Sequence, residues 1–205
     1  MTDSPKPTRK RDGRLREDLI DAGVALLRDR GADGMSLREC AAIAGVSHAS
    51  PGYHFGNLKG LKTAIAARAF RLFGDFMLEF LAKAERAPKA QILAISEGYL
   101  AFAEAHKELF LFMFSGQDLD QTDPDLSAMS ARAYQILRDT CAPFVKPDSH
   151  PETVEILVWS LVHGYAQLML TGKIRKASPG VKIPAYKFLL DHLNLSLQDD
   201  PSSSS

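Results

Sequence analysis

Along most of this chain apolar side chains recur every three or four residues and almost nowhere every second residue, the spacing of helices that each bury one face. Leu15, Leu19, Ala22, Leu26 and Leu27 mark one such face, and Gly31 closes it at the C-terminal end. Ser36 with Glu39 three residues on has the form of a capping box and opens a second helix through Leu37, Cys40 and Ala41. That helix is short, because Gly45 follows. Ser47 is the expected cap of a third short segment, and Asn57 caps a long fourth one through Leu58, Leu61, Ile65, Ala69, Leu72, Phe76 and Phe80.

Pro88 suits the first turn of a helix carrying Ile92, Ile95, Tyr99 and Phe102. The run Leu109 to Phe114, LFLFMF, is ambiguous by periodicity; with helical patterns on both sides it reads as a buried helical turn. Asp123-Pro124 opens a helix through Leu126, Met129, Ala133, Ile136, Leu137 and Phe144. Pro151 opens another, Val154 to Leu170, apolar on most of its circumference. A basic loop from Gly172 to Gly180 leads to a last helix through Phe188, Leu189, Leu193 and Leu197, and the tail DDPSSSS is too polar to pack. The fold class is all-α.

Charge alters this picture only locally. Lys plus Arg and Asp plus Glu are both 25 over 205 residues, but residues 1–62 hold 11 basic against 8 acidic side chains and the remainder 14 against 17. Lys6, Arg9, Lys10, Arg11, Arg14 and Arg16 crowd the start, the pattern of an arm for a polyanionic partner or of a solvated leader. Cys40 and Cys141 have neither CxxC nor metal spacing and are expected to pack in the core of a protein in a reducing compartment. No apolar run approaches the ~18 residues that span a bilayer, so the expectation is a cytoplasmic protein with no membrane partner.

Chemistry concentrates at residues 36–62. Three closely spaced caps and Ala41-x-x-x-Gly45 fit a helix-turn-helix, in which a small residue permits a close crossing and glycine supplies the positive φ of the turn. The second helix of such a unit enters the major groove with its N-terminal side chains at base edges, here His48, Ala49 and Ser50, with Tyr53 and His54 one turn on. The caps Ser36, Ser47 and Asn57 are placed to hold phosphates. The plain alternative is a helical hairpin with polar caps.

Residues from about 14 to 65 resemble the N-terminal domain of the tetracycline-repressor (TetR) family of bacterial transcription regulators. The shared pattern is Leu19-Ile20-x-Ala22, Leu26-Leu27, Gly31, Ser36, Ala41, Ala44-Gly45-Val46-Ser47, His54-Phe55 and Leu61. Trp159-x-x-x-His163-Gly164, followed by Leu168 and Gly172-Lys173, is similar to a ligand-domain subclass of the family named for its Trp-His-Gly. The resemblance implies a three-helix helix-turn-helix domain plus a C-terminal helical ligand-binding and dimerisation domain, about nine helices in all. It further implies a homodimer on a palindromic double-stranded operator, repression by occupation, and release by a small-molecule effector. The corresponding segments are a basic disordered arm at 1–13, a DNA-binding domain at 14–60, a ligand-binding and dimerisation domain at 61–198 and a tail at 199–205. The implied DNA-contacting set is Arg14, Ser36, Leu37, Ser47, His48, Ala49, Ser50, Tyr53, His54, Lys59 and Lys62. At two positions the chain departs from the family: Gly52 stands where a tyrosine is usual, and Leu58 where a lysine is. Tyr53, Lys59 or Lys62 would then take over the phosphate contacts.

A ligand that releases DNA needs a cavity, apolar with a few polar anchors. Tyr99, Phe102, Phe112, Met113, Tyr134, Trp159 and His163 are the candidate lining, although aromatics at helical spacing also make ordinary core. His163, inside the run LVWSLVHGYAQLML, requires a partner there. The last two long helices, roughly 151–170 and 184–197, are too apolar for one-sided burial and fit a four-helix bundle shared with a second subunit. Catalysis has no organised constellation, since the six histidines form no HxxxH or HExxH and no Gly-x-Ser-x-Gly occurs. No cofactor and no metal are expected. The remaining alternative is a helical small-molecule-binding or interaction protein without specific DNA binding.

Overall fold

A computed structural model describes residues 9–115, 118–174, 185–193 and 195. Among the described residues there are nine α-helices: α1 Arg9–Arg30, α2 Leu37–Ile43, α3 Ser50–Phe55, α4 Leu58–Leu81, α5 Pro88–Ala105, α6 Lys107–Ser115, α7 Pro124–Cys141, α8 Thr153–Leu170 and α9 Tyr186–Asp191. A 3-10 turn, Ala142–Phe144, follows α7, so Phe144 lies just past the helix assigned to it from periodicity. α1 starts at Arg9, within the segment read as an arm. Leu197 and most of the basic loop lie outside the described residues.

Two compact units emerge, one drawn from Met1–Phe70 with Glu108–Met129 and the other from Arg71–Lys107 with Ser130–Ser205. In the first, Leu19, Ile20, Leu61 and Ile65 are at most 1% exposed. Burial of such a side chain stabilises by roughly 1.5–3 kcal/mol. The segment LFLFMF is helical in α6, and Phe110 and Phe114 stack edge-on with each other while Phe114 meets Phe70. Lys62 Nζ reaches Asp118 at 3.0 Å, and the Thr63 hydroxyl accepts the Asp120 N–H at 2.9 Å, so polar contacts also tie this stretch to the start of α4.

In the second unit Phe73 of α4 meets Tyr99 and Phe102 of α5 edge-on, and Met77 of α4, Ile92 of α5, Val158 and Val162 of α8 and Leu190 of α9 are buried with them. Its caps follow the sequence expectation: Pro88 is the first residue of α5. In the first unit Pro124 likewise starts α7, where Leu126 N–H donates to Asp123 Oδ1 at 2.8 Å. α8 begins at Thr153 after Glu152 and without a side-chain cap. It is the one described helix long and apolar enough to cross a membrane by length and composition, 18 residues at mean hydropathy 1.2. This corrects the expectation that no run approaches that length. Cys40 and Cys141 are both fully buried, and burial pushes their thiols up to about 11 and about 12, which leaves them protonated packing groups.

Candidate functional site

The helix-turn-helix is built from caps and one special glycine. Ser36 in extended backbone accepts the Glu39 N–H at 3.2 Å, and its own hydroxyl donates to Glu39 Oε2 at 2.6 Å. Arg30 holds the other carboxylate oxygen at 2.6 Å. The Ser36 and Arg30 hydrogen bonds hold the Glu39 carboxyl below its usual range. The turn passes through Gly45 at φ 66°, a left-handed conformation that side-chain-bearing residues rarely adopt. Val46 N–H then closes on Ala41 O at 3.0 Å, and Ala41, fully buried, lets the chain pass close.

The third helix starts later than its sequence implies. Ser47 is not its cap: its hydroxyl accepts the Ala49 N–H at 3.2 Å in a short turn, and α3 runs from Ser50 with Ala49 at the capping position. Pro51 is thereby the second helical residue, where the missing N–H has no intrahelical acceptor to lose, and the proline is buried. Asn57 caps α4 as expected, its side-chain oxygen accepting the Gly60 N–H at 2.9 Å. The close approach behind it leaves no room for more than hydrogen, since a Cβ at Gly60 would stand 2.1 Å from Phe55 O.

On this frame Tyr53 is 82% exposed and His48, Ser47 and Ala49 are exposed, while Ser50 and His54 are half-buried. The Tyr53 and His54 rings meet edge-on at 5.3 Å. Ser36 and Leu37 are half-buried at the start of α2, Arg14 is exposed on α1, and Lys59 is exposed in the first turn of α4. Lys62 is set apart from these, 7% exposed with its ammonium on Asp118. Arg16, absent from the sequence-based set, lies over the Phe55 ring at 5.5 Å and approaches Asp125 at 3.7 Å.

The second unit gathers five of the seven aromatic and histidine candidates. The Tyr99 hydroxyl and His163 Nδ1 share a 2.7 Å hydrogen bond, and Gln167 Nε2 lies 3.4 Å from His163 Nε2. Burial raises the Tyr99 phenol far above its usual range despite a hydrogen bond from Trp159, and it lowers His163, which favours the neutral imidazole. Phe73 meets Tyr99 edge-on at 4.7 Å and Phe102 at 5.4 Å. Tyr134 lies 6.1 Å from Trp159, ring to ring, and its hydroxyl donates to Glu155 Oε2 at 2.5 Å. Arg138 stands over the Tyr134 ring and 3.6 Å from the other oxygen of Glu155, a carboxylate only 4% exposed. Phe112 and Met113 are buried on α6, in the first unit, apart from these five.

A cavity of about 170 Å³ opens between α5 and α9, lined by Ala90, Ile92, Leu93, Leu190 and Leu195 with Lys89, Lys187 and Asp191. None of the seven candidates lines it. Sequence reasoning also passed over Tyr186. This first residue of α9 is 4% exposed and meets Tyr165 edge-on at 5.7 Å. Its signal was weak, because the periodic run becomes clear only from Phe188.

An all-helical chain with a helix-turn-helix in one unit and an aromatic interior threaded by polar groups in the other has the fold of a transcriptional regulator. The chain belongs to the tetracycline-repressor family: the family profile described as tetracyclin repressor-like, C-terminal domain, matches residues 92–193. Members of that family are transcription factors and not enzymes. A search of curated proteins returns no match. Among solved structures, a protein of unknown function from Rhodococcus sp. RHA1 is similar at 24% identity and TM-score 0.71, over 87% of this chain and 91% of that one. A TetR family transcription regulator from Marinobacter aquaeolei VT8 is similar at 18% identity and TM-score 0.64, over 90% and 95%. The multidrug binding protein EbrR, solved in complex with imidazole, is similar at 22% identity and TM-score 0.61, over 93% and 95%.

Proposed function

We propose that this chain is a ligand-responsive, DNA-binding repressor of the cytoplasm that sits on a palindromic operator as a homodimer and leaves it when a small molecule enters the second unit. The observation that carries the DNA-binding reading is the exposed edge of the helix-turn-helix. Ser47, His48, Ala49 and the 82% exposed Tyr53 stand clear of the core while Pro51, Cys40 and Ala41 hold the two helices in it. In a docked helix-turn-helix such side chains meet base edges and phosphates. Arg14, Ser36, Leu37, Ser50, His54 and Lys59 complete the contact set, whereas Lys62, engaged by Asp118, supports the fold of the head.

Two-fold symmetry is supported by apolar surface on the last helices. Ile156, Leu157 and Leu168 on α8 and Phe188 on α9 are 45–54% exposed, and a second copy of the same helices would cover them. The effector site is proposed at Tyr99, Phe102, Tyr134, Trp159 and His163. A ligand there shifts the protein only by its differential affinity for the DNA-free form. Electrophoretic mobility of the full chain on the DNA upstream of its own gene tests the reading. A shift is expected, weakened severalfold in Tyr53→Phe with an unchanged melting temperature, since the hydroxyl is in solvent. Absence of any shift at low and moderate salt refutes it.

A further inference from the structure

Charge and apolar surface meet at the start of α5, in the cavity of about 170 Å³ that this helix forms with α9. The two helices build their sides of it alike. Lys89 precedes Ile92 by three residues and Lys187 precedes Leu190 by three, so on each helix a lysine shares a face with a buried aliphatic side chain one turn on. Ile92, 0% exposed, and Leu190, 7%, form the floor, and the exposed Lys89 and Lys187 stand at the mouth. Ala90 contributes only a methyl group to the wall, which leaves the space unfilled from the α5 side.

The mouth is unbalanced in charge. Among the described residues neither lysine forms an ion pair, although Asp191 lines the same cavity, and Lys187 Nζ stands instead 5.0 Å from the centre of the Phe188 ring. Two ammonium groups against one carboxylate leave a net charge of +1 over an apolar floor. The molecule that answers both features has an apolar body and a single negative charge. A cavity of about 150 Å³ holds one benzene ring, so the body that fits here has about six to eight carbon atoms. We propose that this cavity is a binding site for a small monocarboxylate, its compact apolar body on Ile92 and Leu190 and its carboxylate between Lys89 and Lys187. An alkylammonium would meet two like charges at the mouth, and a dianion would set its second charge against Asp191. The site is separate from the aromatic residues around Tyr99, and it stands whether or not the chain binds DNA.

Isothermal titration calorimetry of the full-length chain with phenylacetate, 2-phenylethanol and 2-phenylethylamine compares three head groups on one ring. Phenylacetate is expected to bind tightest. Lys89→Gln and Lys187→Gln should each weaken it by about two- to fivefold, the range of an exposed charge pair, and the double variant by about tenfold. Both lysines are exposed, so these variants should melt as the unaltered protein does. Ala90→Leu fills the space between the helices and is expected to abolish binding, whereas a carboxylate held by surface charge alone would bind that variant unchanged. The alcohol or the amine binding as tightly as phenylacetate, unchanged affinity in the double variant or in Ala90→Leu, or no binding of phenylacetate at millimolar concentration each overturns the proposal. If Ala90→Leu does not fold, the ranking of the three probes and the lysine variants still decide. The mobility shift on upstream DNA is a separate readout: its absence refutes the regulator and leaves the calorimetric result intact.

Discussion

Replacing Gly60 by alanine adds one methyl group at the joint between α3 and α4, and the structure sets the size of the effect. The new Cβ would lie 2.1 Å from Phe55 O and 3.1 Å from its carbonyl carbon, whereas real Cβ atoms essentially never come within 3.0 Å of a neighbour. One backbone must therefore move about 0.9 Å, and the atom it meets is a carbonyl with no rotamer to change. Overpacking of this kind costs about 1–3 kcal/mol. The movement also strains the Asn57 cap on the Gly60 N–H, worth about 1 kcal/mol, while the helix-propensity gain of alanine offsets less than about 1 kcal/mol in a first turn. The net expectation is a loss of roughly 2–3 kcal/mol located in the helix-turn-helix. Circular-dichroism melts and native-state amide exchange measure it: exchange in α2 and α3 should accelerate first, and the mobility shift on DNA should weaken. A Gly60→Ala protein that melts within about 1 °C of wild type, with unchanged exchange in α3, would refute the steric argument.

The same substitution at Gly52 should act in the opposite direction. A Cβ there meets nothing within 4 Å and the backbone is helical, so Gly52→Ala is expected to raise stability by about 0.5–1 kcal/mol in a denaturant titration. Tyr134→Phe removes the hydroxyl that donates to buried Glu155 at 2.5 Å and should cost about 1–3 kcal/mol, read from the urea midpoint; a loss below about 0.5 kcal/mol would mean that Arg138 alone satisfies the carboxylate. Because burial lowers His163 from its ordinary 6.5, the unfolded chain binds the proton more readily than the folded one. That contribution to stability is fully present above about pH 6.5 and is lost as the pH falls toward the folded-state value. His163→Gln should flatten the fall in melting temperature between pH 7.5 and 5.5, and an unaltered slope in that variant would assign the acid sensitivity elsewhere.

Much of the architecture was written in local signals. Glycine in a left-handed turn at Gly45, a serine before Glu39, an asparagine before α4 and prolines at helix starts act over four residues, so sequence alone placed α2, α4, α5 and α7 and the turn of the helix-turn-helix. The start of α3 was misplaced because Ser47 had two local uses, and the turn to Ala49 won over the helix cap. Side-chain character at a helical spacing reveals that a residue is apolar or can hydrogen-bond, but not what it meets. Only the tertiary structure decided that Lys62 is spent on Asp118, that Phe112 and Met113 belong with the first unit, and that Tyr99 joins His163 sixty-four residues away. Tyr186 shows the same limit most clearly: it is buried with its ring edge-on to Tyr165 of α8, and no period along the chain encodes that meeting.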